Sequence, residues 1–133
     1  MSNTAIALLG FTSWTLLLAS TIAMMRGFLS MKGDHALNSY SPDGADVSAF
    51  SNRLCRAHAN CLENLPLFAV IGLYALITQQ TSALDSLALV LLAARIGQST
   101  IHLISTSVVA VMLRASFFSV QLGLMAWFIF NLI

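Results

Sequence analysis

Polar side chains recur at helical spacing in one segment of an otherwise apolar chain. Within residues 52–68, steps of three, four and three residues separate Arg53, Arg56, Asn60 and Glu63. On a helix, residues at these steps share one face. Polar groups at membrane depth are unfavourable unless they point into a bundle interior and find partners there. Because guanidinium and amide donors suit carboxylate and amide ligands, the segment predicts the floor of a polar binding site.

A second set of polar residues lies further along the chain. Arg95, Gln98 and His102 follow one another at steps of three and four, and a further arginine, Arg114, begins the last apolar stretch. An arginine in the middle of an apolar helix requires a partner, and Glu63 is the acidic residue at the corresponding depth. We expect a Glu63–Arg95 ion pair, direct or bridged by water. Such a pair either only joins two helices or also shapes a ligand site, and both interpretations stay open.

Other candidate residues give weaker signals. Gln98 is typical of a helix–helix hydrogen bond, and for His102 a structural role and a site role are both open. His58 lies off the polar face and suits a headgroup-level or intersubunit position. Cys55 and Cys61 are six residues apart, so on a helix they point in different directions and favour no disulfide. We interpret both thiols as apolar fillers, and no metal-binding spacing, Ser-His-Asp set or phosphate-binding loop is visible.

The composition indicates a membrane protein. Hydrophobic residues make up 58% of the 133 residues, charged residues only 8%, and the mean hydropathy is +0.84. A soluble domain carries about a quarter charged residues, so a soluble globular fold is excluded. The net charge of +1 argues against nucleic acid as a partner. The length suits one domain covering residues 1–133.

A bilayer crossing takes about 20 residues, and the apolar part of the second stretch, residues 65–77, reaches this length only if residues 56–63 lie partly inside the bilayer. With that region included, four apolar stretches are long enough to cross a bilayer. They predict an all-α integral membrane four-helix bundle that contacts lipid on its outer surface. The first stretch lacks the features of a cleaved signal peptide and is interpreted as a retained span. The predicted spans cover residues 4–25, 56–78, 83–106 and 110–133.

One long polar loop, residues 33–51, separates the first two spans. Pro42 and Gly44 predict a turn, because proline presets φ and glycine accepts positive φ. Asp46 or Ser48 is expected to cap the second helix. The loop is either a solvated connector or a lid over the polar site, and the sequence does not separate the two interpretations.

The basic residues predict the orientation in the membrane. The first loop and its flanks carry Arg26, Lys32, Arg53 and Arg56, and Arg114 flanks the third loop. The positive-inside rule therefore places loops one and three in the cytoplasm and both termini outside. In this arrangement the polar face of the second helix meets the end of the third helix and the start of the fourth on the cytoplasmic side.

Residues 56–68 read RAHANCLENLPLF. This run resembles the RAxxNxxExxPxF signature of the MAPEG family, the membrane-associated proteins in eicosanoid and glutathione metabolism. Ala94, Arg95 and Arg114 fit the same pattern, and the resemblance covers most of the chain. It implies a four-helix membrane bundle that assembles as a homotrimer, with glutathione sites between subunits that open to the cytoplasm. A general, bacterial-type member is expected, because tyrosines of the eicosanoid enzymes are replaced here.

The resemblance also implies roles for individual residues. Arg114 looks like the arginine that activates the glutathione thiol. The expected glutathione-binding residues are Arg56, Asn60, Glu63, Arg95, Gln98 and His102. The implied activity is that of a glutathione-dependent membrane transferase or peroxidase acting on lipophilic electrophiles or hydroperoxides. The alternative is a non-catalytic lipid-binding or scaffolding membrane protein with the same fold.

Overall fold

Four helices contain the apolar stretches of the chain. The computed structural model describes residues 1–133. Its elements are α1 (Asn3–Met31), α2 (Ala49–Ile77), α3 (Ala88–Ile104) and α4 (Val108–Leu132), with a 3-10 turn (Thr81–Ala83) between α2 and α3. The prediction of an all-α four-helix fold is confirmed.

Three helices begin at a serine whose side chain accepts a hydrogen bond from the backbone. Ser2 accepts from the N–H of Ala5 at the start of α1, Ser48 caps α2 in the same way, and Ser107 caps α4. These contacts satisfy N–H groups that have no partner within the helix. Of the two caps expected for α2, the structure therefore uses Ser48.

Helices α1, α2 and α4 are long and apolar enough to cross a membrane, whereas α3 has 17 residues. At about 1.5 Å per residue, α3 is about 25 Å long, at the short end of the range for a membrane span. Two helices extend beyond the apolar stretches: α1 continues to Met31, and α2 begins at Ala49. Hydropathy marks where a helix meets hydrocarbon, whereas capping and hydrogen bonding decide where it ends.

Helix α1 packs on α2 and α3, and α4 packs mainly on α3. Phe11 of α1 and Phe68 of α2 lie at the centre of the core, with ring centroids 6.1 Å apart. Leu91 of α3 and Phe128 of α4 are also fully buried. The outer surface exposes many large apolar side chains, as expected of a surface that faces lipid.

The long loop is tied to the end of α1 by side-chain contacts. His35 lies 3.0 Å from Asp46 through its Nε2 atom, and its ring stacks on Tyr40 at 4.1 Å between centroids. The Tyr40 hydroxyl donates to the backbone oxygen of Arg26 at 2.7 Å. The loop therefore rests on the last turns of α1, and a lid function stays a prediction.

The predicted turn at Pro42 and Gly44 is present, and Gly44 has φ +68°. A Cβ atom there would lie 2.5 Å from Ser51 Oγ and 2.8 Å from Cys55 Sγ. Gly44→Ala should therefore lower the free energy of unfolding by about 2–3 kcal/mol, because it combines backbone strain with a steric clash. Thermal unfolding of the purified protein in detergent measures the change.

Gly33 provides the matched control, because it has φ +80° but open space around its missing Cβ. Gly33→Ala should lower the free energy of unfolding by about 1–2 kcal/mol, the cost of the left-handed backbone alone. Equal effects of Gly33→Ala and Gly44→Ala would show that the close approach to Ser51 and Cys55 does not contribute to the loss of stability.

The connection between α2 and α3 holds the start of α1. Asp85 Oδ1 accepts hydrogen bonds from the backbone N–H of Thr4 at 2.8 Å and from the Thr4 hydroxyl at 2.7 Å. Asn3 Nδ2 donates to the backbone oxygen of Asp85 at 3.0 Å. The hydrogen bond from the Thr4 hydroxyl is the main reason that the pKa of Asp85 is lowered from its ordinary value.

Asp85→Asn is expected to lower the free energy of unfolding near neutral pH by about 1 kcal/mol, as for one partly exposed hydrogen bond. Because the folded-state pKa is depressed, the ionised carboxylate stabilises the protein fully above the unfolded pKa of about 3.9. That stabilisation is lost as the pH falls through the lower, folded-state pKa. Melting temperatures measured from about pH 6 to about pH 3 should therefore converge for wild type and variant. A constant difference would contradict this assignment.

Candidate functional site

Arg95 is fully buried in the middle of the bundle and anchors a polar network. Its Nη1 atom donates to Asn60 Oδ1 at 2.8 Å, and its Nε atom donates to Gln121 Oε1 at 2.8 Å. The guanidinium carbon lies 5.3 Å from the centroid of the Phe11 ring. One arginine thus joins α2, α3 and α4 through side-chain hydrogen bonds and contacts α1 through a cation–π interaction.

Two further hydrogen bonds close the network into a ring. Gln121 Nε2 donates to Gln98 Oε1 at 2.8 Å, and Gln98 Nε2 donates to Asn60 Oδ1 at 3.2 Å. We call Asn60, Arg95, Gln98 and Gln121 the Arg95 network. The interpretation of Gln98 as a helix–helix hydrogen bond is confirmed. These hydrogen bonds satisfy polar groups that would be unfavourable if left unpaired in the interior, and Arg95 Nη2 is the atom of the network that is buried without a partner.

Gln121 is the member that the sequence analysis missed. It lies within the apolar α4, seven residues after Arg114, and is fully buried. A carboxamide in the middle of a membrane span was the available signal, since such groups usually point into the bundle interior. Residues seven apart also lie on similar faces of a helix, so Gln121 and Arg114 share a side of α4.

The predicted direct ion pair between Glu63 and Arg95 is wrong for this chain. The ion pairs in the structure are Lys32–Asp34 and His35–Asp46, and Glu63 is exposed on the outer surface. Glu63 still lies within electrostatic range of Arg95. Asn60, one turn earlier on α2, faces the interior and accepts a hydrogen bond from Arg95 in the place predicted for Glu63.

A cavity of about 230 Å³ opens beside the Arg95 network. It is lined by residues of α2, α3 and α4, and we call it the basic cavity. Arg114 stands in its wall, and the Nε atom of Arg114 is buried without a hydrogen-bond partner. The lining residues are Asn60, Gln98, Val111, Arg114, Ala115 and Phe118.

The Arg114 side chain lines the basic cavity, and further basic residues lie near it. Arg56 lies within electrostatic range of Arg114, and both arginines lie within electrostatic range of His102. His102 is buried near the end of α3. No carboxylate forms an ion pair with these side chains within the chain. An arrangement of guanidinium groups without acidic partners is suited to anionic ligands, especially carboxylates.

The predicted site residues thus occupy three positions. Asn60, Gln98 and Arg114 line the basic cavity, and Arg95 lies behind them in the network. The remaining three residues do not line the basic cavity. His102 is buried in the last turn of α3, and Arg56 and Glu63 are exposed on α2. Their contacts with a ligand stay a prediction.

His58 and Cys55 line a different cavity, between α1 and α2. This α1–α2 cavity has a volume of about 260 Å³ and is also lined by Arg26 and Pro42. Arg26 Nη2 donates to the backbone oxygen of Ser41 at 2.9 Å and lies 3.6 Å from Cys55 Sγ. The chain therefore presents two separate cavities with basic residues, on different sides of α2.

The other cysteine, Cys61, lies in the core. Its sulfur is 3.3 Å from Ser99 Oγ and 4.0 Å from Arg95 Nη1. Cys55 and Cys61 are both buried, and both are free thiols. These positions agree with the interpretation of the two cysteines as fillers of the helix packing.

Comparison with known proteins identifies the family. The sequence model of the MAPEG family matches residues 4–133, nearly the whole chain. The comparisons with curated proteins and with solved structures found no match. The matched region contains all four helices, the Arg95 network and both cavities. The chain therefore belongs to the MAPEG family, the four-helix membrane proteins of eicosanoid and glutathione metabolism.

Proposed function

We propose that the protein is a glutathione-dependent membrane transferase or peroxidase acting on lipophilic electrophiles or hydroperoxides. The observation that supports this proposal is the basic cavity, in which Asn60 and Arg114 meet beside Arg56 without an acidic partner. Glutathione carries two carboxylates, two amides, one ammonium group and a thiol. Arg56 and Asn60 suit its carboxylates and amides, and the nearby Glu63 is the group that suits its ammonium.

In this proposal Arg114 holds the sulfur in its reactive form. A guanidinium within hydrogen-bond reach favours the thiolate over the thiol. The thiolate then attacks an electrophilic carbon, and the C–S bond forms as the leaving group departs with its electron pair. With a hydroperoxide, the sulfur forms S–OH as the O–O bond breaks, and the alkoxide leaves and takes a proton from water. A second glutathione thiol then reacts with the S–OH group to give the disulfide and water. The apolar side chains of Val111 and Phe118 line the same cavity and suit a lipophilic second substrate that arrives from the bilayer.

The basic cavity of one chain is too small for the proposed ligands together. Its volume of about 230 Å³ lies below the 300–1,000 Å³ or so that is typical of small-molecule sites. We propose that a homotrimer completes each site between neighbouring subunits. The α1–α2 cavity, with Arg26 and His58, is suited to contribute the second half. By the positive-inside rule, the sites face the cytoplasm and both termini lie outside.

Glutathione binding to the purified protein in detergent tests the function. Calorimetry should show saturable heat for glutathione, and S-methylglutathione should bind as well, because the contacts to carboxylates and amides remain. Asn60→Leu should lower the affinity for both ligands about tenfold, since one hydrogen bond to each ligand is lost. Absence of binding to wild type at millimolar glutathione would overturn the proposal and favour the lipid-binding or scaffolding alternative.

The oligomeric state is a separate expectation. Native mass spectrometry of the protein released from detergent should show a trimer as the main species. The reason is that Glu63 and Arg56 are exposed at or near membrane depth in the single chain, where charged groups require partners or water. A spectrum that contains only monomer would contradict the shared site.

A further inference from the structure

Gln121 makes three hydrogen bonds within the bundle, through its oxygen and through both N–H groups of its nitrogen. Its Oε1 atom accepts from Arg95 Nε, and its Nε2 atom donates to Gln98 Oε1 at 2.8 Å and to the backbone oxygen of Phe117 at 3.0 Å. The side chain is fully buried, so no water competes for these positions. A carboxamide with one acceptor and two donors engaged has a single favourable orientation.

The orientation of every amide in the Arg95 network follows from the arginine. Arg95 can donate hydrogen bonds but cannot accept them, so Gln121 must turn its oxygen toward Arg95. Its nitrogen then faces Gln98, which must present its own oxygen to Gln121 and its nitrogen to Asn60. Asn60 Oδ1 consequently accepts two hydrogen bonds, from Arg95 Nη1 and from Gln98 Nε2.

Two donor groups of the network have no hydrogen-bond partner in the chain: Arg95 Nη2, which is buried, and Asn60 Nδ2. Asn60 Nδ2 makes no hydrogen bond within the chain and is not among the buried atoms that lack a partner. Asn60 lines the basic cavity, so its NH₂ group is accessible to a ligand there. With Asn60 Oδ1 held by two donors, the cavity presents an amide donor beside the Arg114 guanidinium and no competing amide oxygen from Asn60.

We propose that Gln121 is a positioning residue of the binding site. It fixes Gln98 and, through Gln98 and Arg95, the amide of Asn60, which then donates Nδ2–H to a carboxylate or amide carbonyl of the ligand. Gln121 itself lines neither cavity. The identification of that ligand as glutathione rests on the proposed function, whereas the orientation of Asn60 does not depend on it.

Two substitutions of Gln121 separate positioning from packing. Gln121→Glu keeps the size of the side chain and the acceptor for Arg95, so the fold is retained, but an ionised carboxylate cannot donate to Gln98. Gln121→Met removes the acceptor and the donors without adding charge. Ser119→Ala is the matched control on α4, because Ser119 is exposed and donates only to the backbone oxygen of Ala115.

The side-chain amide signals of Asn60, observed by NMR after ¹⁵N labelling of asparagine, report its orientation without any ligand. Asn60→Ala identifies these signals by their disappearance. They should shift or broaden in Gln121→Glu and in Gln121→Met and should stay unchanged in Ser119→Ala. Unchanged Asn60 signals in both Gln121 variants would overturn the proposal.

Glutathione binding then tests the consequence for the site. Gln121→Glu, Gln121→Met and Asn60→Ala should each raise the dissociation constant about tenfold. Combining Gln121→Met with Asn60→Ala should weaken binding no more than Asn60→Ala alone, because both changes remove the same donor. Independent, multiplying losses would overturn the positioning role. If wild type fails to bind glutathione, the proposed function fails, and the NMR comparison still decides the role of Gln121.

Discussion

Arg114→Ala should lower turnover about 10- to 100-fold at neutral pH while leaving glutathione affinity nearly unchanged. An unperturbed thiol has a pKa of about 8.5, so it is mostly protonated at neutral pH. The Arg114 guanidinium faces the basic cavity with an Nε atom that has no partner in the chain. Its removal should raise the thiol pKa of bound glutathione toward the value in water, whereas Arg56 and Asn60 should still bind the rest of the ligand.

The pH dependence identifies this mechanism. Thiolate absorbance in the ultraviolet, titrated with bound glutathione, should show a higher pKa for Arg114→Ala than for wild type. Turnover of the variant should recover at about pH 9, where the thiolate forms without help. Lys32→Ala is the control, because Lys32 is exposed and pairs with Asp34 away from the cavity. Equal thiol pKa values in wild type and Arg114→Ala would leave Arg114 as an interfacial anchor only.

The second large effect concerns the partners of Arg95. Asn60→Ala should lower the free energy of unfolding by about 2–3 kcal/mol, because it leaves a buried guanidinium nitrogen without its acceptor. In a double-mutant cycle, Asn60→Ala and Arg95→Met should couple by about 1–2 kcal/mol. Once Arg95 is absent, the loss of Asn60 no longer leaves a donor unpaired.

Glu63 provides the contrast in the same experiment. Glu63→Gln and Arg95→Met should be additive within about 0.5 kcal/mol, because the carboxylate is exposed and makes no ion pair with Arg95. Unfolding in detergent mixtures of increasing denaturing strength measures the three single and two double variants. Strong coupling of Glu63 to Arg95, or none between Asn60 and Arg95, would require a different set of contacts.

Helical spacing identified most of the polar residues that the structure brings together. Asn60 of α2 and Gln98 of α3 line one cavity with Arg114 of α4, as the convergence of polar faces predicted. Helical spacing predicts which residues share a face because a residue's angle around its own helix follows from its position in the chain. Gln121 was missed because it lies seven residues after Arg114 with no polar residue three or four positions away on the same face, so α4 shows no continuous polar stripe.

Pairing between helices could not be predicted in the same way. Glu63 and Asn60 lie one turn apart on α2, and the sequence favoured the charged residue as the partner of Arg95. In the structure, the rotation of α2 that packs Phe68 on Phe11 also turns Asn60 inward and leaves Glu63 exposed. Shape complementarity of the apolar side chains, rather than charge, thus selected the partner.

The amino-acid sequence by itself determined the membrane class, the four helices and the family, and it limited the cap of α2 to Asp46 or Ser48. These properties depend on local composition, on capping chemistry and on a contiguous motif. The tertiary structure alone decided which acceptors hold Arg95, which way the amides of Asn60 and Gln98 face, and that Gln121 closes the network. The physical reason is that hydrogen bonds between helices depend on helix rotation and depth, which many distant packing contacts set together.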